Sequence, residues 1–566
     1  MMRWIAFTGI VVLGVAAIIA SERRRVDVPV SADALLYLVA DTEQELTRMP
    51  AKFTRLSDAE EIAIGNEIAR GNERDVVKDP ETKAIEAYLS QVGNRVAANA
   101  HRKLPYRFHY IPDDNFVNAF AVPGGHLYMG AGLLALMDSE DELAAVLGHE
   151  IEHIDHYDCA ERIQLEQALR KVPFGGLIGI PIELFQAGYS KDQELQADGD
   201  GTYLAVEAGY SANGAVRMFE TFQRLSDEYQ ARAKNPEQEL SQVAQETLEG
   251  YFRSHPLPRE RIARVQTMIA AANWQPRPER DLGVAFIFTS NRALAELRAH
   301  KYPQAQQLAT RSLQMQPGQQ KALEVLARAQ FAQADFAGAA VSYRKLLDLD
   351  PSRLAAGYAA LYAQALAAAD RQTAATELRA FANSIKGEPP RELRVQIAGL
   401  SLLAGDPNPA RSIVSESSAR PDSDWVPEWQ GYLGWWYYLA GDYSTASNLL
   451  SSAVEQRPGN VDFATNAAWV QIQNLKYADA LEALDRVSDT GSDRADRRMA
   501  RATALWLSKQ PDDALRLFES AINDQPEWND SRWIRALYSP LVARSIEDMQ
   551  VERERRRKEL LAKAHK

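Results

Sequence analysis

The residues best suited to chemistry lie in one short stretch, Leu143–Asp158, which reads LAAVLGHEIEHIDHYD. It contains His149-Glu150-Ile151-Glu152-His153, an HExxH spacing. Positions i and i+4 of a helix stand one above the other, so the two imidazoles can offer nitrogens to one ion at about 2.0–2.1 Å. Glu150 sits beside them, where a carboxylate can take a proton from metal-activated water. A zinc site with two histidines needs a further protein ligand, and a carboxylate from a second helix is one standard solution. Glu194 and Asp198 stand four apart in Tyr189–Ala205. Glu194 suits ligation, and Asp198 suits accepting the other N–H of a ligand histidine; as bare spacing the pair is common. His156 competes as the third ligand. It lies about 10 Å of helix rise from His149, and three imidazoles hardly converge from a straight helix. A solvated or supporting histidine is the expectation there. Cys159 is the single cysteine, so no intrachain disulfide forms, and a buried small hydrophobe is its expected role.

The positioning elements are legible around that stretch. Leu143, Val146, Leu147, Ile151 and Ile154 recur at three- and four-residue spacing, which predicts a helix with one buried face. Ser139 and Glu142 are spaced as a capping box at its start. Upstream, Val117–Val122 and His126–Met129 read as short strands joined by a Pro123-Gly124-Gly125 turn. Their free edge suits a substrate peptide added as a strand, against the plainer reading of an ordinary hairpin. Tyr106–Ile111 alternates as a strand, Ile85–Ala100 has helical spacing, and Ser57-Asp58-Ala59-Glu60 opens another helix. Val172–Gln186 is apolar, rich in Gly and Pro and too short to span a bilayer, which leaves a core cover or a membrane-surface contact. A Pro-rich loop over Arg253–Pro258 precedes a helix over Arg259–Ile269; alone, His255 reads as a surface histidine.

Together these residues resemble the gluzincin metallopeptidase family of the CAAX prenyl protease and the heat-shock membrane protease. The matching pieces are Asn118-Ala119-Phe120 with Pro123-Gly124-Gly125, His149-Glu150-x-x-His153, Tyr189-Ser190 with Glu194-x-x-Ala197-Asp198, and His255-Pro256, in the family's order. The resemblance implies one Zn2+ per chain held by His149, His153 and Glu194, with Glu150 as general base and acid. It implies Asp198 behind the ligands, and Asn118–Val122 with His126–Met129 flanking the substrate cleft. Lys191 stands where the family usually has Arg, and Gln196 where Glu is frequent; neither is a proposed ligand. For the oxyanion, Arg261 and His255 are candidates.

The second half is periodic. Tyr302 and Phe336, like Pro317 and Pro351, are 34 residues apart; Tyr443, Tyr477 and Pro511 step by 34 again, and Ala305, Ala339, Ala446, Ala480 and Ala514 each follow a marker by three. That helix-turn-helix period is the tetratricopeptide (TPR) signature and predicts a curved α-solenoid. Residues 370–430 are degenerate, with a phase slip near Lys386–Pro390. The aromatic cluster Trp425, Trp429, Trp435, Trp436, Tyr437 and Tyr438 reads as buried packing, with a peptide groove as the alternative.

The 566 residues carry a net charge of −13, which argues against a nucleic-acid binder. Trp4–Ala20 is an uncharged apolar run followed by Arg23-Arg24-Arg25, fitting either a signal peptide or a membrane anchor. The expected organisation is an export segment (1–25), a zincin-type α+β metallopeptidase domain with a small sheet (45–280), a mainly α TPR solenoid (285–538) and a basic tail (541–566). That architecture resembles the periplasmic, TPR-bearing assembly-enhancing proteases of the same family. It implies a periplasmic, membrane-associated zinc endopeptidase that takes polypeptide substrates, misfolded or stalled envelope proteins. It also implies TPR docking to an outer-membrane protein assembly machinery. A chaperone or scaffold with a latent protease is the rival. In those relatives the histidine matching His255 can close over the zinc and hold the enzyme inactive.

Overall fold

In a computed structural model, the chain is described over residues 56–73, 79–170, 189–233, 258–385, 390–487 and 494–564. The runs Trp4–Ala20 and Val172–Gln186, and His255, lie outside the described residues. The chain divides into two units, Met1–Val284 and Ala285–Lys566. Among the described residues, no helix is long and apolar enough to cross a membrane.

In the first unit the elements run α1 (Asp58–Glu73), α2 (Pro80–Ala97), β1 (Arg107–Ile111), β2 (Ala119–Val122), β3 (His126–Gly130), then α3 (Glu140–Asp155), α4 (Asp158–Arg170), α5 (Lys191–Glu207), α6 (Asn213–Ala233) and α7 (Pro258–Ala272). Helix α3 is the axis, with α2, α5, α6 and β2 packed around it. Four of the five residues in the expected stripe form it, Leu143, Leu147, Ile151 and Ile154, each at most 2% exposed, while Val146 is half-buried at its margin. Burying each contributes about 1.5–3 kcal/mol. Ser139 Oγ accepts from Glu142 N at 3.2 Å. The Glu142 carboxylate accepts from Asp138 N at 2.6 Å, one residue before the capping-box position. Asp141 accepts from Ser211 N (2.6 Å) and Arg280 N (2.7 Å), which pins the start of α3 to later chain. At the other end, buried Arg102 donates to Ile154 O (2.6 Å), Asp58 (2.6 Å) and Glu61 (2.9 Å), tying α3 to α1.

The capping signals set the helix starts. Ser57 and Glu60 exchange backbone and side-chain hydrogen bonds (2.8 and 3.3 Å), so α1 opens where the sequence says. Helix α2 begins earlier than the apolar spacing suggests, because Asp79 accepts from Thr82 N at 2.7 Å and Pro80 suits the first helical position. The sheet order is β1-β3-β2, with β1 parallel and β2 antiparallel to β3. Pro123-Gly124-Gly125 joins β2 to β3 with φ of +78° at Gly124 and +98° at Gly125, a region that disfavours a side chain.

Helices α3 and α5 meet backbone to backbone at Gly148 and Gly201. A Cβ at Gly201 would lie 2.5 Å from His149 N and 2.7 Å from the Gly148 carbonyl carbon. Both obstacles are backbone, so the helices must separate. Gly201→Ala is therefore expected to destabilise the domain by roughly 1–3 kcal/mol, despite alanine's better helix propensity. A lowered melting temperature, with weaker metal retention, is the checking measurement. An unchanged melt would show that the crossing has slack.

The second unit is built of paired antiparallel helices. The five periodic markers each open a helix: Tyr302–Met315, Phe336–Leu349, Tyr443–Gln456, Tyr477–Asp485 and Pro511–Asp524. The alanines three residues on are fully buried, because only a small side chain fits where paired helices meet. The degenerate middle is helical too, with Tyr358–Ala369, Ala374–Ser384, Arg391–Leu403 and Asn408–Ala419. Trp429, Trp436, Tyr437 and Tyr438 are buried, and Trp436 Nε1 donates to buried Gln396 at 2.8 Å. The cluster is mainly core. The basic tail is the end of a long helix, Pro540–Ala564, whose first turns bury Val542, Ile546 and Met549 against the solenoid. Its later turns carry the charge.

Candidate metal centre

Helix α3 brings His149 and His153 together as their spacing predicts, with the two Nε2 atoms 3.1 Å apart. Helix α5 supplies Glu194 from its first turn. A capping box sets that turn, with Ser190 Oγ accepting from Gln193 N at 3.4 Å and Gln193 Oε1 accepting from Ser190 N at 3.1 Å. One Glu194 oxygen is 3.5 Å from His149 Nε2 and the other 3.6 Å from His153 Nε2. A tetrahedral first-row cation with bonds of about 2.0–2.2 Å separates its ligand atoms by about 3.3–3.6 Å. The three side chains thus fit one ion, and all three are buried. Glu150 lies between the histidines in the chain and is 2% exposed.

Each imidazole has a carboxylate behind it. His149 Nδ1 is 3.0 Å from Asp198 Oδ1, and His153 Nδ1 is 2.8 Å from Asp158 Oδ2. An N–H held there leaves the Nε2 lone pair for the ion. Burial pulls the His149 pKa below its ordinary value, which favours the neutral form a ligand needs. Burial alone would raise the Asp198 carboxyl, but Arg261 and His149 outweigh it and hold it below the usual range. Arg261, from α7, reaches Asp198 with two donors at 2.6 Å each and lies 3.3 Å from Glu194. Arg261 is thus engaged behind the ligands, clamping Asp198, where the sequence offered it to the oxyanion.

Asp158 carries no signal in the spacing. Five residues past His153, it is out of reach on a straight helix. Tyr157 takes a left-handed φ of 66° between α3 and α4, and this break in the helix brings Asp158, the first residue of α4, to His153. Gln193 Nε2 donates to its other oxygen at 2.5 Å. The Tyr189 ring stacks on His153 with centroids 3.8 Å apart, and its hydroxyl meets Cys159 Sγ at 3.2 Å. Burial pushes the Cys159 thiol pKa well up, so it stays an inert thiol. His156 does not join the histidine pair; it sits near Glu152 (3.0 Å) and Asp200 (3.3 Å).

The strands divide in a way the sequence did not show. Strand β3 is central, so His126–Met129 has partners on both sides, and β2 alone of the hairpin is an edge strand among the described residues, with all four of its residues buried. On that edge Ala119 N already donates to Asn118 Oδ1 (2.9 Å), and Ala121 O takes Cys159 Sγ at 3.5 Å. Phe120 stacks on Tyr128, centroids 4.9 Å apart, within the core beside α1. Pro123, Gly124 and Gly125 form the turn itself. It packs so closely on α1 that a Cβ at Gly124 would lie 2.5 Å from Glu61 O.

The histidine pair, the carboxylate from a following helix and the small sheet define a metallopeptidase domain. The model of Peptidase family M48 matches residues 83–184 and 176–269, and a Tetratricopeptide repeat model matches residues 437–505. The chain carries a domain of Peptidase family M48 followed by TPR helix pairs. It is 32% identical over 213 residues to the Putative beta-barrel assembly-enhancing protease of Vibrio cholerae serotype O1, covering 34% of this chain and 40% of that one. The Beta-barrel assembly-enhancing protease of Escherichia coli strain K12 is 24% identical over 231 residues, 36% and 43% of the two chains. The Mitochondrial metalloendopeptidase OMA1 of Schizosaccharomyces pombe is 31% identical over 144 residues, 24% and 42%. The matches thus span under half the length of these relatives.

Proposed function

We propose that this chain is a zinc-dependent endopeptidase of the bacterial envelope that hydrolyses misfolded or stalled polypeptides, with the helical repeats docking substrate or an outer-membrane protein assembly machinery. The observation that carries the reading is the buried meeting of His149, His153 and Glu194, with Glu150 buried next to His149 in the chain. The names of the relatives, proteases that enhance β-barrel assembly, supply the substrate class.

Two imidazoles and one carboxylate, each imidazole backed by a carboxylate, suit Zn2+ among the common ions. When bound, zinc supplies a Lewis acid that polarises water and the scissile carbonyl. His149, His153 and Glu194 would hold it, leaving one position for water or substrate. Glu150 takes the proton of the attacking water on its carboxylate and hands it to the leaving amine nitrogen. Asp198 and Asp158 keep the imidazoles turned toward the ion, and Arg261 keeps Asp198 ionised. Substrate backbone pairs with the outer edge of β2, which gives weak sequence preference. That pairing displaces the Asn118 and Cys159 contacts, so Asn118 acts as a placeholder for the incoming chain.

The test uses the purified full chain on an unfolded outer-membrane β-barrel protein. Cleavage at internal bonds is expected, abolished by a zinc chelator and restored by added Zn2+. Hydrolysis that survives complete metal removal would overturn the reading.

A further inference from the structure

Further along the same two helices lies another convergence of ligating groups. Glu152 and His156 are i and i+4 at the end of α3; Gln196 and Asp200 are i and i+4 on α5. His156 Nε2 is 3.0 Å from Glu152 Oε2 and 3.3 Å from Asp200 Oδ2. One ligand atom from each of the three lies within 4.8 Å of the others. We propose that Glu152, His156 and Asp200 form a second divalent-cation site, separate from the peptidase centre, that takes Zn2+ or a similar first-row ion.

A tetrahedral cation holds its ligand atoms about 3.3–3.6 Å apart; the His156–Asp200 separation of 3.3 Å lies in that range, and the His156–Glu152 pair at 3.0 Å needs to open by only a few tenths of an ångström to join it. The Glu152 side chain is 1% exposed; its Oε2 lies 3.0 Å from His156 Nε2, and neither of its oxygens has a well-formed hydrogen bond among the described residues. A buried carboxylate served so poorly is costly, and an ion at this point would relieve it. Gln196 Nε2 faces His156 Nε2 at 3.5 Å. That amide N–H can donate to the imidazole nitrogen when no ion is bound, and turning the amide over presents Gln196 Oε1 as a fourth ligand. Half-exposed Asp200 leaves an entry path, so this ion exchanges more readily than the buried one. Bound there, it cross-links α3 to α5, the two helices that carry His149, His153 and Glu194.

The experiment strips the full chain with chelator and titrates it with Zn2+ alone, reading bound metal by equilibrium dialysis with elemental analysis. The wild type is expected to bind two equivalents, one tight and one weaker. His156→Gln and Asp200→Asn should each bind one, retaining the tight class. Asp200→Asn is at the surface and keeps the test decisive if His156→Gln loosens the end of α3. Glu194→Ala should keep the weaker equivalent, and Glu194→Ala with Asp200→Asn should bind none. A wild type that saturates at one equivalent overturns the proposal, and so does an Asp200→Asn chain that still binds two. Loss of the weaker class alone leaves the peptidase reading untouched, so the two stand or fall separately.

Discussion

Glu150→Gln is expected to cut peptide hydrolysis by about 10²–10⁴-fold while the tight metal stays bound. The substitution keeps the size of the side chain and removes its basicity. Neither imidazole Nε2 is touched, and the carboxylates behind them, Asp198 and Asp158, remain in place. Metal content should therefore match the wild type. The melting temperature should hold or rise, because a buried carboxylate is replaced by a neutral amide at a site shaped for chemistry. Initial rates on an unfolded polypeptide and elemental analysis of the same preparation give both readouts. A variant retaining a tenth or more of the rate would remove Glu150 from the proton path. Loss of metal together with activity would make it a structural residue. The same variant separates the protease from its rival, the scaffold: a chain needed only for binding keeps its cellular function with Gln at 150.

What could be read from the chain depended on whether the decisive contact was local. The metal helix has an i, i+4 pair, an apolar stripe and a capping serine, all within a few turns, and all appear where expected. The repeats are legible because Ala305, Ala339, Ala446, Ala480 and Ala514 must be small at every helix junction, and such a constraint recurs with the fold's period. Asp158 was hidden because its use depends on one left-handed residue, Tyr157, and a non-glycine there carries no sequence mark. The place of Arg261 is not legible because nothing local ties a residue on α7 to Asp198 on α5. The pairing of β1 with β3, which makes β3 central, is likewise a long-range choice, and it leaves β2 as the hairpin's edge strand. Gly148 and Gly201 look like weak points in their helices. Only the crossing of the two shows that both must lack a side chain.

Glu194→Ala is expected to abolish the tight metal and with it the hydrolysis. Structural zinc is worth about 10–16 kcal/mol across its ligands, so losing one of three or four costs roughly 3–4 kcal/mol, a loss of two to three orders of magnitude in affinity. The two histidines alone make a poor site, since their Nε2 atoms, 3.1 Å apart, would share an ion open on its other side. The fold should survive. Arg261 loses a neighbour at 3.3 Å but keeps both hydrogen bonds to Asp198, so no buried guanidinium is left unpaired. That distinction makes the variant informative: activity should fall with metal and not with folding. Dialysis at fixed free Zn2+ measures the first, and thermal unfolding of the metal-free chains measures the second. If Glu194→Ala binds the tight equivalent as well as the wild type does, another residue completes the site, and the first turn of α5 supplies no ligand. If it unfolds without metal while the metal-free wild type does not, Glu194 is holding helices together, and its nearness to the histidines reflects packing more than coordination.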